Sequence, residues 1–219
     1  MTAQISLQPM VTTNAAGLFN VNSAGFTQGD AQDDPAVKFA LAGGVLSTTA
    51  IVPLWGGVPI AEIIPTAQEG FYSGDAQPGT DTLGGTLIQA DAETAPTGIA
   101  VYNQAFGGIT TPQSTAPLYS PGMSVNFYRF GSNARIPLPC DASVVALAGS
   151  SIVETVYWDV VNFRLTTTST DNFAVPCKIL RISTSGNKIV SYSSVTGNAN
   201  WSNTIVGGSA SAPVAVVQI

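Results

Sequence analysis

The stretch Ser150-Ser-Ile-Val-Glu-Thr-Val-Tyr-Trp-Asp-Val-Val-Asn-Phe-Arg-Leu-Thr-Thr-Thr-Ser-Thr170 decides the fold class. It opens a window, residues 150–175, that contains neither Gly nor Pro. Its Val, Ile, Thr and aromatic residues suit a pleated, half-buried surface better than a helix. Val156, Trp158 and Val160 share one face at a period of two. Val161, Phe163 and Leu165 then alternate with Asn162 and Arg164. The window is expected to form a hairpin that turns near Asp159 and returns from Val161.

Working outward, the same signature recurs. Residues 37–41 are a short run before Gly43-Gly44, and residues 51–64 an apolar run cut by Pro53, Gly56-Gly57 and Pro59, hence a bent or edge strand. Further strands are expected over 98–103, 123–130, 135–138, 143–147, 178–182, 188–193 and 212–219. Ser183-Thr-Ser-Gly-Asn187 suits a hairpin loop between two of them, with Gly186-Asn187 able to take positive φ. Many short strands at roughly ten-residue spacing, with little helix signal, argue against βαβ units. The expected fold is all-β, a small barrel or sandwich of short antiparallel strands.

The outside of such a domain is short of charge. Only 7 Lys and Arg and 13 Asp and Glu occur in 219 residues, 9% against a usual ~25%, and there is no histidine. A monomer of 22.4 kDa exposes roughly 9,400 Å², which leaves about one charge per 470 Å². Soluble surfaces are normally ~25–35% charged. Much of this surface is therefore expected to be covered by copies of the chain or by a partner. The net charge of −6 argues against a nucleic-acid partner. It is also uneven: residues 1–110 carry nine acids and one base, Lys38, while residues 111–219 carry four acids and six bases. Such asymmetry can steer association.

Residues 1–34 read differently from the rest. Apolar Met10, Val11, Leu18, Phe19, Val21 and Phe26 are separated by small polar residues, with no charge before Asp30. The segment is too broken for a helix and too apolar for a solvated tail. It is expected to be an extended N-terminal arm whose six apolar residues meet a partner or another copy, since an extended strand can add to a neighbour's sheet edge. An ordinary first strand of the same core is the competing reading. Residues 35–219 form the β domain, with a possible subdomain boundary near 110–150. No apolar run approaches the ~20 residues that span a bilayer, and the start Met1-Thr-Ala-Gln-Ile-Ser6 has no secretory pattern. Membrane association is not expected, and assembly is expected in the cytoplasm of the cell that makes the chain.

Catalytic constellations are missing. Without histidine there is no Ser-His-Asp, Cys-His or imidazole metal site. Asp30, Asp33 and Asp34 offer oxygens for calcium but lack EF-hand spacing, and Asp33-Asp34-Pro35 reads as a turn. Glu62 and Glu69 read as solvated carboxylates. The glycine pairs at 43–44, 56–57, 84–85, 107–108 and 207–208 lack phosphate-loop spacing and suit tight turns or close backbone approach. Asn200-Trp201-Ser202 matches a glycosylation sequon by chance. Cys140 and Cys177, each after a proline, are expected as buried free thiols, with a bridge possible if their strands are neighbours. Tyr128, Phe130, Tyr157, Trp158 and Phe163 are expected in the core rather than around a ligand. No enzyme, cofactor or metal is expected.

An ordered series of segments from Gly98 onward resembles the cement or decoration proteins that stud the heads of tailed bacteriophages. The segments are Thr97-Gly98-Ile99-Ala100-Val101, Tyr119-Ser-Pro-Gly122-Met-Ser-Val125, Arg135-Ile136-Pro137-Leu138-Pro139, Val156-Tyr157-Trp158-Asp159, Lys178-Ile179-Leu180-Arg181-Ile182 and Ala215-Val-Val-Gln-Ile219. Their order and spacing carry the likeness, over about half of the chain. The resemblance implies a small β-barrel or sandwich that sits as a trimer on the capsid exterior. There it would clamp neighbouring major capsid proteins and stabilise the mature head, as part of the virion. A different class, the receptor- or carbohydrate-binding module of a phage fibre or spike, would instead expose aromatics such as Tyr102, Tyr128 or Trp201 for stacking.

Overall fold

The computed structural model describes residues 29, 31, 37–47, 54–63, 86–89, 95–101, 118–149, 155–184, 189–193, 198–202 and 212–219. They are mostly strand, and the fold is all-β. Five strands close a barrel in the order β1 (Leu41–Leu46), β3 (Thr86–Gln89), β2 (Pro59–Ile63), β4 (Gly98–Val101), β5 (Ser124–Arg129). Closure comes from β1, which pairs with β5 from Leu41↔Tyr128 to Val45↔Ser124 and with β3 on its other side. The β1–β3 pair is parallel, an exception to the expected antiparallel pairing, while the other four pairs are antiparallel.

The barrel interior holds Leu46, Leu54, Trp55, Val58, Ile60, Ala100, Val125 and Phe127, all buried. The opposite face of β4 and β5 presents Ile99, Val101 and Tyr128 to a second, larger core. With both faces covered, Gly98-Ile-Ala-Val101 is apolar throughout rather than alternating. The second core is built on two further sheets. One orders β10 (Lys178–Ser183), β13 (Val214–Gln218) and β6 (Arg135–Pro139), and the other orders β8 (Arg164–Thr166), β7 (Val156–Asp159) and β9 (Phe173–Val175). Ile136, Leu138, Val156, Trp158, Leu165, Ala215 and Val217 meet there. A separate hairpin, β11 (Ile189–Ser193) with β12 (Asn198–Ser202), places Ile189 against Ala212 and Val214. So β13 is also buried on two sides, which accounts for the unbroken apolar run at 212–217.

Edge strand β6 contains Pro137 and Pro139. The Cys140 N–H donates to Pro213 C=O at 3.0 Å, and antiparallel alternation then turns both proline nitrogens away from β13, so no ladder bond is lost. Their side of the strand also resists pairing with another chain.

Four expectations need correction. Residues 37–41 are not a strand: Val37–Ala40 forms a 3-10 turn, and β1 begins at Leu41 and runs through Gly43-Gly44. Residues 143–147 are not a strand either. Asp141 caps the single helical turn α1 (Ala142–Val145), its carboxylate accepting from the Ser143 and Val144 amides at 2.9 and 3.1 Å. Valine content suggested β, and the cap outweighed it. In the 150–175 window the hairpin does turn next to Asp159, but the return strand begins at Arg164 rather than Val161. The Asp159 carboxylate accepts from Val161 N and Asn162 N at 3.0 and 2.9 Å, so Val160 to Phe163 form the turn. Trp158 thereby pairs with Leu165, Val161 is left 78% exposed, and a third strand, β9, joins the far side of β7. Finally, β10 does not pair with β11: β10 lies beside β13, and β11 beside β12. The strands β3 and β12 have no counterpart in the sequence reading.

Candidate interaction surface

The six residues assigned to the arm, Met10, Val11, Leu18, Phe19, Val21 and Phe26, lie outside the described residues, as do Asp30, Asp33, Asp34, Glu69 and Tyr102. Two residues of the 1–34 segment are placed, and both are buried. Ala31 belongs to the larger core, and Gly29 packs on β4 beside the turn at Gly57.

Of the two carboxylates read as solvated, Glu62 is instead engaged. Arg129 donates to it through Nε at 2.8 Å and through the terminal nitrogen at 2.7 Å. The strand β4 lies between their strands, and at that level it contributes Gly98, whose missing side chain leaves the path clear. The guanidinium also sits 5.3 Å from the Phe127 ring centre, at one end of the barrel interior. The Arg129 hydrogen bonds hold Glu62 below the usual carboxylate range, against the opposing effect of partial burial. Because Arg129 is 54% exposed, the pair contributes no more than about 1 kcal/mol.

Asp141 is the other engaged carboxylate. Burial works against its charge, yet the Ser143 and Thr166 hydroxyls and the Val144 and Ser143 amides keep it below the ordinary range. Ser143 Oγ in turn accepts from Thr167 N at 3.0 Å, tying α1 to the end of β8. These carboxylates serve structure. Among the described residues no three of His, Cys, Asp and Glu come together as a metal site.

Both cysteines are free thiols, Cys140 buried and Cys177 partly covered. Burial pushes each from the ordinary value of 9.0 up to about 12. Below pH ~9 the thiols are protonated in both folded and unfolded chains, and stability is at its full value. Between pH ~9 and ~12 only the unfolded chain ionises, so stability should fall as pH rises, by up to about 1.4 kcal/mol per unit for each fully buried thiol. Cys140 should account for the larger share. Urea midpoints across that range should show the decline, Cys140→Ala should flatten it, and Ellman's reagent should leave native Cys140 unmodified at neutral pH.

The aromatic residues are consistent with the core expectation. Tyr128 and Trp158 are each 1% exposed, so Tyr128 is unavailable as a stacking platform. Phe130, Tyr157 and Phe163 are partly covered, and the Phe163 ring lies 4.6 Å from that of Trp55, linking the two cores. Trp201 lies in β12.

Among the described residues, six large hydrophobic side chains are exposed. Along one end of the barrel exterior, Val45 on β1, Thr86 on β3 and Ile63 on β2 stand in register across three strands. Val45 and Ile63 are exposed at 45% and 50%, and Met123, whose carbonyl accepts from Leu46 N, is exposed beside them. Phe39, Val161 and Leu180 project elsewhere. This row was not legible beforehand, because which face of β1 points out depends on barrel closure. No protein-family model, curated protein or solved structure matches the chain.

Proposed function

We propose that this chain is a virion structural protein that binds the outside of a tailed-phage capsid, clamps neighbouring major capsid proteins and stabilises the mature head. The observation that carries the reading is a surface poor in ions that exposes an in-register row of Val45 and Ile63 with Met123 beside them. Apolar surface of this kind is stable in water when another molecule covers it. The ordered segments from Thr97 to Ile219 support the class of partner, and a trimer on a capsid joint fits the same likeness. A clamp repeated over a shell gains by multiplicity, since neighbours hold each copy near its site. Each contact can then stay apolar and weak.

The purified chain should sediment as an oligomer and pellet with expanded capsids. A monomer that stays in the supernatant would refute the proposal. The cut that tests the arm falls before Gly29, since Gly29 and Ala31 are buried. Removing residues 1–28 should weaken capsid binding and leave the β circular-dichroism spectrum intact. Loss of all structure would instead assign the segment to the core.

A further inference from the structure

The sheet β10-β13-β6 carries a second surface of opposite character. Register places Lys178 beside Gln218, and Gln218 beside Arg135, in one row across the three strands. The two cations flank Gln218 at two strand spacings, roughly 10 Å apart at the backbone. Arg181 pairs with Val216, two residues along β13, and so stands on the same face.

That placement depends on a bulge. Ile179 pairs with Val217 and Ile182 with Ala215, and both pack against the larger core although two residues, Leu180 and Arg181, lie between them. The register shift between Ile179 and Arg181 absorbs Leu180 as the extra residue and turns Arg181 outward to join Lys178. Without it, Arg181 would face the core.

All three cations are exposed. Arg129 and Arg164 lie against Glu62 and Asp159, whereas Arg135, Lys178 and Arg181 have no carboxylate partner among the described residues. Gln218 at their centre donates to Asn133 Oδ1 at 3.3 Å. A chain of net charge −6 thus gathers three of its seven cations on one sheet face, with no carboxylate against them among the described residues. The matching anions are in the same sequence. Residues 39–128 contain no Lys or Arg, and Glu69, Asp75, Asp81, Asp91 and Glu93, which lie outside the described residues, fall in sequence between β2 and β4.

We propose that the Arg135–Lys178–Arg181 face docks the acid-rich segment 69–93 of a second copy, so that the protein self-associates head to tail. The basic face and the acid-rich segment are different parts of the chain, so the contact is heterologous: it closes into a ring where the rotation permits and otherwise extends. Charge complementarity sets the register and the encounter rate, and apolar contacts supply the area. The inference rests on the self-association part of the proposed function, not on the capsid.

Sedimentation velocity of the full-length chain tests it. Wild-type assembly should weaken as salt rises and the Debye length shortens from about 10 Å at 0.1 M to about 3 Å at 1 M. The triple variant Arg135→Glu, Lys178→Glu, Arg181→Glu should lose association by about tenfold or more, equivalent to about 1.4 kcal/mol. The variant Asp75→Lys, Asp81→Lys, Asp91→Lys should lose it as well. Mixing the two reversed proteins should restore assembly, which misfolded chains could not do. If the glutamate variant is unfolded by circular dichroism, the Gln series at the same three positions should give the same loss. Salt-insensitive assembly, assembly untouched by either reversal, a monomeric wild type, or wild-type binding of DNA lost on reversal without self-association would each overturn the proposal. Failure of the capsid reading looks different: a salt-sensitive oligomer that never pellets with capsids leaves this inference standing, and a monomer that does pellet removes it alone.

Discussion

Trp158→Ala is expected to destabilise the protein by about 3–5 kcal/mol, enough to remove a large part of a typical domain stability of 5–15 kcal/mol. Trp158 lies on β7, the middle strand of its sheet, opposite Leu165 on β8 and Phe173 on β9. Its side chain is 1% exposed within the larger core. Truncation leaves a cavity against both neighbouring strands and the β6–β13 sheet. One feature of the site separates two variants. The indole Nε1 is buried and has no hydrogen-bond partner among the described residues, a condition that costs about 1–3 kcal/mol for a desolvated donor. Trp158→Phe removes that donor along with part of the ring, so the lost packing is partly offset. The Phe variant should therefore be destabilised by no more than about 2 kcal/mol. Urea unfolding of both variants checks this. An Ala variant within about 1 kcal/mol of wild type would mean that Trp158 does not organise the core as described.

The part of this core that was legible in sequence was the part set by local alternation. Val156 and Trp158 were assigned to one face because the period of two needs no knowledge of partners, and both are buried. The same rule failed directly after Asp159. The side chain of Asp159 bonds the amides of Val161 and Asn162 and makes a turn out of residues that alternate as a strand would. At Asp141-Ala-Ser-Val-Val145 the Asp before a short run is a capping signal, and the β-branched content of that run conceals it. Thr86–Gln89 is too short and too mixed to announce β3, and it is a strand because β1 and β2 lie on either side of it.

The candidate surfaces were less legible still. Val45 and Ile63 are eighteen positions apart in sequence and are brought into one row by Thr86 between them. The basic face joins Arg135 to residues more than forty positions away, through a central strand and a bulge that no pattern signals. Surfaces are composed across strands, and register is the information that a single sequence withholds. Composition is different, because a shortage of charge is a property of the whole chain and is visible without register.

Gly29→Ala is expected to cost about 4 kcal/mol or more, and it probes the joint between the N-terminal segment and the barrel. Gly29 has φ +75, and a Cβ there would lie 2.0 Å from the carbonyl oxygen of Ala100 and 2.7 Å from the amide nitrogen of Gly57. Those two atoms are themselves hydrogen-bonded, Gly57 N donating to Ala100 O at 2.7 Å. Gly29 therefore covers the bond that fixes the turn before β2 to the edge of β4. The atoms in the way are backbone, so no side chain can swing aside. Either Gly29 leaves its place or the Gly57–Ala100 bond breaks. Gly131→Ala is the control. Gly131 has φ +88 but nothing within 4 Å of the added methyl, so it should show only the backbone penalty of roughly 1–2 kcal/mol. The difference between the two melting curves isolates the close contact from the dihedral cost. If Gly29→Ala melts with Gly131→Ala, the segment is not anchored on β4. If it melts well below, residues 1–28 leave the domain from a fixed point on the barrel wall. A deletion ending at residue 28 and one ending at residue 31 should then differ in stability, since only the second removes Gly29 and Ala31 from the core.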